Sequence, residues 1–301
     1  NAEAYFSFDG NKLVFQATFD SMECDQIFTM NIDGTDRKLV STGNGRTTCA
    51  YYYPDETKII YASTHQSDEK CPPPPYRSKG YVWKLYETFD IFLKDGEELK
   101  QLTDTPGYDA EATVSPNGDK IVFTSLRNGD PEIYTMNLDG SEQTRLTFET
   151  GYDGGPFFSP DGKKIVFRAS RPKTDEQMAD YKDLVDNWYV RPSALEIFVM
   201  DSAGKNMKQI TNFGKASFAT FFHQNGKKII FSSNYNGDNP RDFNLWMINI
   251  DGTGLERITF NSTFDGFPMF SPDGKYFVFG SNRFNKKDTD TNIFIAECKF
   301  W

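Results

Sequence analysis

Short apolar runs separated by turn sequences recur along the whole chain. One full unit contains the apolar runs PFFS, KIVF and EIFVM, the turn PDGK between the first two, and a short final run, KQIT. Pro, Asp and Gly at consecutive positions favour a tight hairpin, because Pro fixes φ and Gly tolerates positive φ. The continuously apolar second run indicates a strand buried on both faces. The pattern predicts a unit of four antiparallel strands.

The turn and second strand of this unit occur six times. The copies read FDGNKLVF, PDETKIIY, PNGDKIVF, PDGKKIVF, QNGKKIIF and PDGKYFVF, and they end at Phe15, Tyr61, Phe123, Phe167, Phe231 and Phe279. One such sheet cannot cover both of its faces, so six of them packed around an axis would bury their aromatic side chains against each other. The sequence therefore predicts an all-β fold, a six-bladed β-propeller of four-stranded antiparallel blades.

The repeat also divides the chain into a single domain, residues 1–301, with six blades. The blades are expected at about residues 1–42, 43–104, 105–148, 149–212, 213–260 and 261–301. The last blade ends at NIFIAEC, and no fourth apolar run follows it. Its fourth strand is expected either from an upstream segment or not at all, which would leave a short free edge.

The pattern LT…GYDGGPFFSPDGKKIVFRASR…EIFVMD resembles the repeats of TolB-like six-bladed β-propellers, found mainly in exported bacterial proteins. The resemblance covers the chain from about Glu3 to Cys298. It implies a non-catalytic binding or scaffolding module of the cell envelope, periplasmic or associated with the cell surface. TolB itself carries a separate N-terminal domain for its envelope partners, so the resemblance of the blades does not carry a role in that particular machinery over to this sequence.

The long insertions between strands should all lie at one end of the propeller. They are residues 64–87, 171–195 and a shorter one at 234–244, each between the second and third strands of a blade. Insertions confined to one face of a repeat protein usually mark its binding face. A protein or oligosaccharide partner is expected there, although the loops could instead plug the channel.

The second insertion is predicted to be a short helix in blade four. Thr174 and Gln177 have capping-box spacing, and Met178, Tyr181, Val185 and Trp188 recur at helical intervals. This stripe either packs on the propeller or docks a partner, which makes Tyr181 and Trp188 candidate binding residues.

The first insertion contains CPPPPYRSKGYVWKLYETFDIF. Its four prolines favour an extended segment. Arg77, Tyr81 and Trp83 follow closely, and aromatic and basic groups together could hold a glycan or an acidic peptide. Alternatively, Trp83 and Tyr86 begin the next strand.

Three of the four cysteines fall at the same end as the insertions. Cys24, Cys49 and Cys71 map there, whereas Cys298 maps towards the opposite end. In an oxidising compartment we expect one disulfide, Cys49 with Cys71 within one blade, which would tie down the proline loop.

Acidic residues recur where the innermost strands begin. The aligned positions hold Asn1, Thr47, Asp109, Asp153, Ser217 and Asp265, and Glu3 and Glu111 lie two residues further in. A ring of carboxylates at the channel mouth would attract a cation or a basic side chain. The alternative is that each aspartate caps backbone amides in an Asx turn.

Charge and composition narrow the function further. The net charge is −10, which argues against a nucleic-acid partner. No apolar run is long enough to span a membrane, and the N-terminus lacks the features of a signal peptide, so any export signal is expected to have been removed.

Catalytic chemistry has little support in the sequence. With only His65 and His223, and no hydrolase, metalloprotease or nucleotide-binding motif, no metal site and no cofactor are expected, apart from a cation at the channel mouth. The alternative to a binding module is a glycan-cleaving enzyme that uses Asp109, Glu111 and Asp153, because paired carboxylates suffice for that reaction. A third possibility is an accessory module of a larger hydrolase or envelope assembly.

Overall fold

The computed structural model describes residues 2–19, 22–75, 77–285, 287 and 290–298, with the side chains of Ala2 and Arg77 excepted. Antiparallel strands account for most of the regular secondary structure in this part of the chain. Blade one contains β1 (Ala2–Phe6), β2 (Lys12–Ala17), β3 (Gln26–Asn31) and β4 (Lys38–Leu39). Blade two contains β5 (Thr47–Tyr52), β6 (Lys58–Ser63), β8 (Asp90–Asp95) and β9 (Glu98–Gln101), with β7 (Trp83–Lys84) in the connection after β6. Blade three contains β10 (Asp109–Val114), β11 (Ile121–Ser125), β12 (Glu132–Met136) and β13 (Thr144–Arg145).

The second half of the chain repeats this arrangement. Blade four contains β14 (Asp153–Phe158), β15 (Lys164–Ala169), β17 (Glu196–Asp201) and β18 (Lys208–Gln209), with helix α1 (Asp175–Asp186) and β16 (Tyr189–Val190) in the connection after β15. Blade five contains β19 (Ser217–Phe222), β20 (Lys228–Ser233), β21 (Asn244–Asn249) and β22 (Glu256–Arg257). Blade six contains β23 (Asp265–Phe270), β24 (Tyr276–Ser281) and β25 (Asn292–Glu297), and among the described residues no strand pairs beyond β25.

The first strands of the blades surround a central channel. They pack side by side, and β1 lies next to β23, which closes the ring. The six-bladed propeller predicted from the repeat is confirmed, including the four-stranded antiparallel sheets of blades one to five and the helix in blade four, while blade six has three strands among the described residues.

A pair of aromatic residues lies at the centre of every blade. The closing aromatic of each repeat is directly opposite an aromatic residue of the third strand: Phe15 with Phe28, Tyr61 with Phe92, Phe123 with Tyr134, Phe167 with Phe198, Phe231 with Trp246 and Phe279 with Phe294. The closing aromatics are at most 4% exposed. Cross-strand aromatic pairs stabilise a sheet beyond the burial of their area, so the repeat that identifies the fold is also the repeat that holds each blade together.

The innermost strand of every blade carries a one-residue bulge. In blade one, Ala2 pairs with Gln16 but Tyr5 pairs with Val14, so β1 holds one extra residue. The same shift occurs in β5, β10, β14, β19 and β23. One residue of each bulge has a left-handed φ of 49° to 60°: Glu3, Cys49, Glu111, Gly155, Ala219 and Phe267. A bulge re-aims its side chain, and these six residues form a ring around the channel.

The two long insertions form one structure, which we call the cap (residues 64–87 and 171–195). Strand β7 pairs with β16, and the Leu85 amide donates to the Trp188 carbonyl at 2.8 Å. The Lys79 ammonium lies 2.5 Å from the Asp183 carboxylate. Connections from blades two and four therefore meet at the same end of the propeller, which we call the insertion face.

Helix α1 begins at the predicted capping box. The Gln177 amide donates to the Thr174 hydroxyl at 3.2 Å, and the Thr174 amide donates back to the Gln177 side chain at 3.2 Å. Its buried residues are Tyr181, Leu184 and Val185. Helix α1 is twelve residues long, and no helix in the described part of the chain could cross a lipid bilayer.

Candidate functional site

Asp109, Asp153 and Asp265 begin the innermost strands of their blades, but they do not line the channel mouth. All three are 0% exposed. Each accepts a hydrogen bond from an arginine that follows the second strand of its own blade, and the nitrogen–oxygen distance is 2.7 Å for Asp109 with Arg127 and 2.6 Å for Asp153 with Arg171. The expectation of an open ring of aspartates that attracts a cation is therefore wrong, as is the Asx-turn alternative.

These ion pairs have a sequence signal that lies outside the repeated turn and second strand. Each arginine ends a Ser-x-Arg or Ala-x-Arg segment: SLR at 125–127, ASR at 169–171 and SNR at 281–283. The third pair joins Arg283 to Asp265. The guanidinium groups also lie over the central aromatic pairs, 4.9 Å from the Tyr134 ring centre for Arg127 and 5.1 Å from that of Phe279 for Arg283. The recurring aspartate and arginine are therefore paired within three blades.

Glu111 belongs to the channel, two residues further in, where its bulge directs it. Its carboxylate accepts from the Thr124 hydroxyl at 2.7 Å and from the Gly155 amide at 2.8 Å. It also pairs with the guanidinium of Arg168, a residue of β15 that no sequence motif marks. The Tyr152 hydroxyl lies between them, 2.6 Å from the Arg168 Nη2 that donates to it. The result is a buried, charge-paired network on one side of the channel.

Glu3 lies in the same ring but has no comparable partners. Its carboxylate oxygens are 3.6 and 3.7 Å from the Cys49 thiol, which is a weak donor, and no nitrogen or hydroxyl of the described residues donates to them. Burial, followed by the negative charge of Glu111, raises the pKa of Glu3 to about 7. Burial likewise raises the pKa of the Cys49 thiol, and Glu3 raises it further. At neutral pH the Glu3 carboxyl group is therefore partly ionised, and the Cys49 thiol is protonated.

The ring opens into a cleft of about 480 Å³ on the insertion face. Trp83 of the cap lies over it, with Arg168 5.2 Å from the Trp83 ring centre. The Trp83 and Phe218 rings meet edge to face at 5.7 Å, and Phe218 and Phe267 are 6.0 Å apart. Tyr81 stands at the entrance, 74% exposed. The channel mouth therefore has aromatic walls and a polar floor of Glu3, Cys49, Glu111 and Arg168.

The other end of the channel is different in character. A smaller cavity of about 120 Å³ opens beside the PDG-type turns, on what we call the turn face, and it is lined by Phe6, Phe8, Phe221 and Met269 among others. No charged residue lines this cavity, whereas Glu3, Glu111 and Arg168 line the channel towards the insertion face. A separate cavity of about 570 Å³ between blades six and one, beside the turns, is lined by Asp9, Asp33 and Asp273. This asymmetry supports the insertion face as the place where a polar ligand would be recognised.

The remaining candidate residues fall in two groups. Tyr81 and Trp83 reach the channel mouth as described, and Trp83 begins the short strand β7. Tyr181 is 9% exposed and donates to Asp130, and Trp188 packs partly buried against the same apolar cluster. Tyr181 therefore fixes the helix to the propeller and offers no surface to a partner. The side chain of Arg77 lies outside the described residues.

The expected disulfide is wrong in one partner. Cys71 is bonded to Cys24, and their Cα atoms are 5.5 Å apart. Cys49 and Cys298 are free. The reason is the bulge in β5, which turns Cys49 towards Glu3 in the channel, whereas Cys71 lies in the cap beside the loop between β2 and β3 of blade one. The disulfide ties the proline loop to blade one and not to its own blade.

Each of the carboxylates invoked for glycan cleavage has an arginine partner. Asp109, Glu111 and Asp153 pair with three different arginines. Within the described residues, no three His, Cys, Asp or Glu side chains are arranged to hold a metal ion.

These features define a six-bladed β-propeller with a two-part cap over one mouth of its channel. A sequence profile of the family described as the TolB beta propeller domain matches residues 86–188. The Tol-Pal system protein TolB of Bordetella pertussis is 36% identical over 55 residues, which are 18% of this chain and 13% of the relative. The chain is therefore a six-bladed β-propeller that is similar in sequence to the TolB beta propeller domain over residues 86–188 and similar in fold to TolB over nearly its whole length.

Solved structures extend the similarity of fold to nearly the whole chain. TolB from Acinetobacter baumannii superposes with a TM-score of 0.69 at 21% identity, over 96% of this chain and 61% of that one. An oligogalacturonate lyase from Vibrio parahaemolyticus superposes with a TM-score of 0.53 at 15% identity, over 97% of this chain and 88% of that one. The same architecture thus occurs in a Tol-Pal system protein and in a lyase, and the site must decide between them.

Proposed function

We propose that this chain is a non-catalytic binding or scaffolding propeller of the bacterial cell envelope, which holds its partner at the channel mouth of the insertion face. The observation that carries the proposal is the cleft of about 480 Å³ that the cap and the bulge ring form together. It combines exposed aromatic surface at Tyr81 with a polar floor. Convergent polar groups inside an apolar cleft are typical of binding sites.

The envelope location is supported by two features. The similarity to a Tol-Pal system protein is one. The other is the disulfide between Cys24 and Cys71, because disulfides persist in the periplasm and outside the cell but are rare in the cytosol. We infer an exported protein, periplasmic or at the cell surface, whose partner is a protein or an oligosaccharide.

Site-specific photo-crosslinking in cells of the source organism tests the binding face. A photoreactive phenylalanine replaces Tyr81 at the channel mouth in one variant and Tyr276 on the turn face in the other. Tyr276 is a matched control, because it is also an exposed tyrosine. We expect one discrete crosslinked product from position 81 and none from position 276. Equal products from both positions, or none from either, would contradict the proposed face.

A turnover assay separates binding from catalysis. The purified protein is incubated with a panel of glycosides, oligogalacturonates and peptides, and we expect no saturable product formation. Hydrolysis or elimination that follows saturation kinetics and is lost on Glu111→Gln would identify an enzyme instead. Glu111 is the informative position, because it is the one of the three carboxylates invoked for glycan cleavage that lines the channel.

A further inference from the structure

The charges in the channel do not balance when all of them are ionised. Glu3 and Glu111 would contribute two negative charges and Arg168 one positive charge, while Lys84, which also lines the cleft, donates from its ammonium to the Asn187 carbonyl at 3.1 Å. Glu111 forms an ion pair with the Arg168 guanidinium and accepts hydrogen bonds from the Thr124 hydroxyl and the Gly155 amide. Glu3 is therefore the group that carries the uncompensated charge.

Glu3 is also the group whose hydrogen bonding is least complete. A carboxylate can accept about four hydrogen bonds, and Glu3 has only the long contact with the Cys49 thiol. It lines the cleft, so a ligand that enters the channel mouth can reach it. Arg168, 9% exposed, is incompletely bonded as well, since its Nε has no acceptor.

The walls of the cleft suit a cation with an apolar stem. Trp83, Phe264 and Phe267 line it above Glu3. Aromatic faces attract ammonium and guanidinium groups and pack against the methylene chains of Lys and Arg. The net charge of −10 favours the approach of such a group as well.

We propose that the channel mouth binds a basic side chain of a protein partner, lysine or arginine, with the Glu3 carboxylate as its counter-ion. The inference rests on the proposed function of this face and specifies its ligand. One ligand cation brings the summed charge of Glu3, Glu111 and Arg168 to zero. A neutral oligosaccharide would leave the Glu3 charge uncompensated, so a basic peptide is the occupant that the charges favour.

Binding of this kind depends on pH through Glu3. The cation binds the ionised carboxylate, so a pH below the pKa of Glu3 makes the ligand compete with a proton. The ionisable groups that face Glu3 across the channel and beside it are Glu111 on β10, Arg168 on β15, Cys49 on β5, Asp25 before β3 and Tyr5 on its own strand.

The test uses three blocked tripeptides, acetyl-Gly-X-Gly-amide, in which X is lysine, arginine or norleucine. Dissociation constants are measured by NMR titration of the whole protein at pH 6 and pH 8. We expect the lysine and arginine peptides to bind about tenfold more tightly at pH 8 than at pH 6, and the norleucine peptide not to bind. In Glu3→Gln, the affinity at pH 8 should fall at least tenfold and no longer depend on pH.

Glu98→Gln is the matched control, because it removes the same charge from the exposed strand β9. It should bind like the wild type, and a thermal melt of each variant shows that the fold is intact. The proposal is overturned if the norleucine peptide binds as tightly as the lysine peptide, or if both glutamate variants lose the same affinity. Maltotriose bound with equal affinity by the wild type and by Glu3→Gln would also overturn it. In those cases crosslinking at position 81 still reports whether the face binds a partner, so the two proposals can fail separately.

Discussion

The guanidinium of Arg168 occupies the space that a side chain at residue 155 would need. A Cβ atom on Gly155 would lie 1.9 Å from Nη1 of Arg168. Gly155 is the blade-four member of the bulge ring, with a φ of 60°. Because this position has no side chain, the arginine on the neighbouring strand can cross into the channel and reach Glu111 on blade three. The glycine thus determines where the positive charge of the channel lies.

Gly155→Ala should therefore displace Arg168 and weaken its pair with Glu111. A left-handed alanine costs roughly 1–2 kcal/mol on its own, and the broken buried pair should add about 2–3 kcal/mol. Urea denaturation followed by circular dichroism measures the loss. Gly214→Ala is the control, since Gly214 has a φ of 61° and a Cβ atom there would meet nothing within 4 Å. Similar losses in both variants would show that backbone strain alone is responsible.

Sequence alone predicts the blades well, because hydrophobic period, turn chemistry and repeat length all describe local structure. It predicts the channel poorly. Asp109 and Glu111 are two residues apart, a spacing that suggests one acidic rim, yet the bulge between them sends the first into its own blade and the second into the channel. In the sequence, Arg168 looks like any other residue of its strand. Only the structure shows that its guanidinium occupies the space left by the missing side chain of Gly155.

The disulfide error has a similar physical origin. The repeat indicates which end of the propeller each cysteine lies at, but the distance from the axis is not visible in a linear sequence. Cys49 lies on an innermost strand, and Cys71 lies in the cap. The distance of a loop residue from the propeller axis depends on which blade the loop packs against. The repeat pattern does not specify that packing.

The buried ion pair between Arg127 and Asp109 should be essential to blade three. Arg127→Met leaves the fully buried Asp109 carboxylate without its partner, and such a change typically costs about 3–5 kcal/mol. The free energy of unfolding from urea titration measures this. Arg37→Met, at an exposed arginine that lies 4.0 Å above the Phe19 ring, should cost less than about 1 kcal/mol.

A double variant distinguishes the lost pair from lost packing. Asp109→Asn combined with Arg127→Met removes both charges, and buried pairs replaced in this way are often nearly neutral. We expect it to regain most of the stability lost by Arg127→Met alone. If the double variant is as unstable as the single one, the arginine acts through its aromatic contacts with Phe123 and Tyr134 and not through the carboxylate.

The Cys24–Cys71 bond should stabilise the native protein by limiting the unfolded chain. Its sequence separation is 47 residues, for which the chain-entropy relation gives about 4 kcal/mol. Replacing both cysteines with serine should lower the unfolding free energy by about 2–4 kcal/mol. Non-reducing peptide mapping should give one crosslinked peptide that contains Cys24 and Cys71. Cys49→Ser should leave that peptide unchanged, and a product linking Cys49 to Cys71 would contradict the structure.

Glu3 should make the protein less stable as the pH rises from about 4 to 7. An unfolded glutamate has a pKa of about 4.3, whereas that of folded Glu3 is raised to about 7 by burial and by Glu111. Between these values the folded protein binds more protons than the unfolded chain, so the free energy of unfolding falls with increasing pH, by up to about 3 kcal/mol from this group.

The variant Glu3→Gln removes this pH-dependent contribution to stability. It should match the wild type at pH 4 and exceed its stability by about 1–3 kcal/mol at pH 8, as measured by urea denaturation at both pH values. Glu98→Gln should leave the free energy of unfolding unchanged at both pH values. A difference between Glu3→Gln and the wild type that is the same at pH 4 and pH 8 would mean that the pKa of Glu3 is not raised by folding, and the expected change in peptide affinity between pH 6 and pH 8 would then be absent.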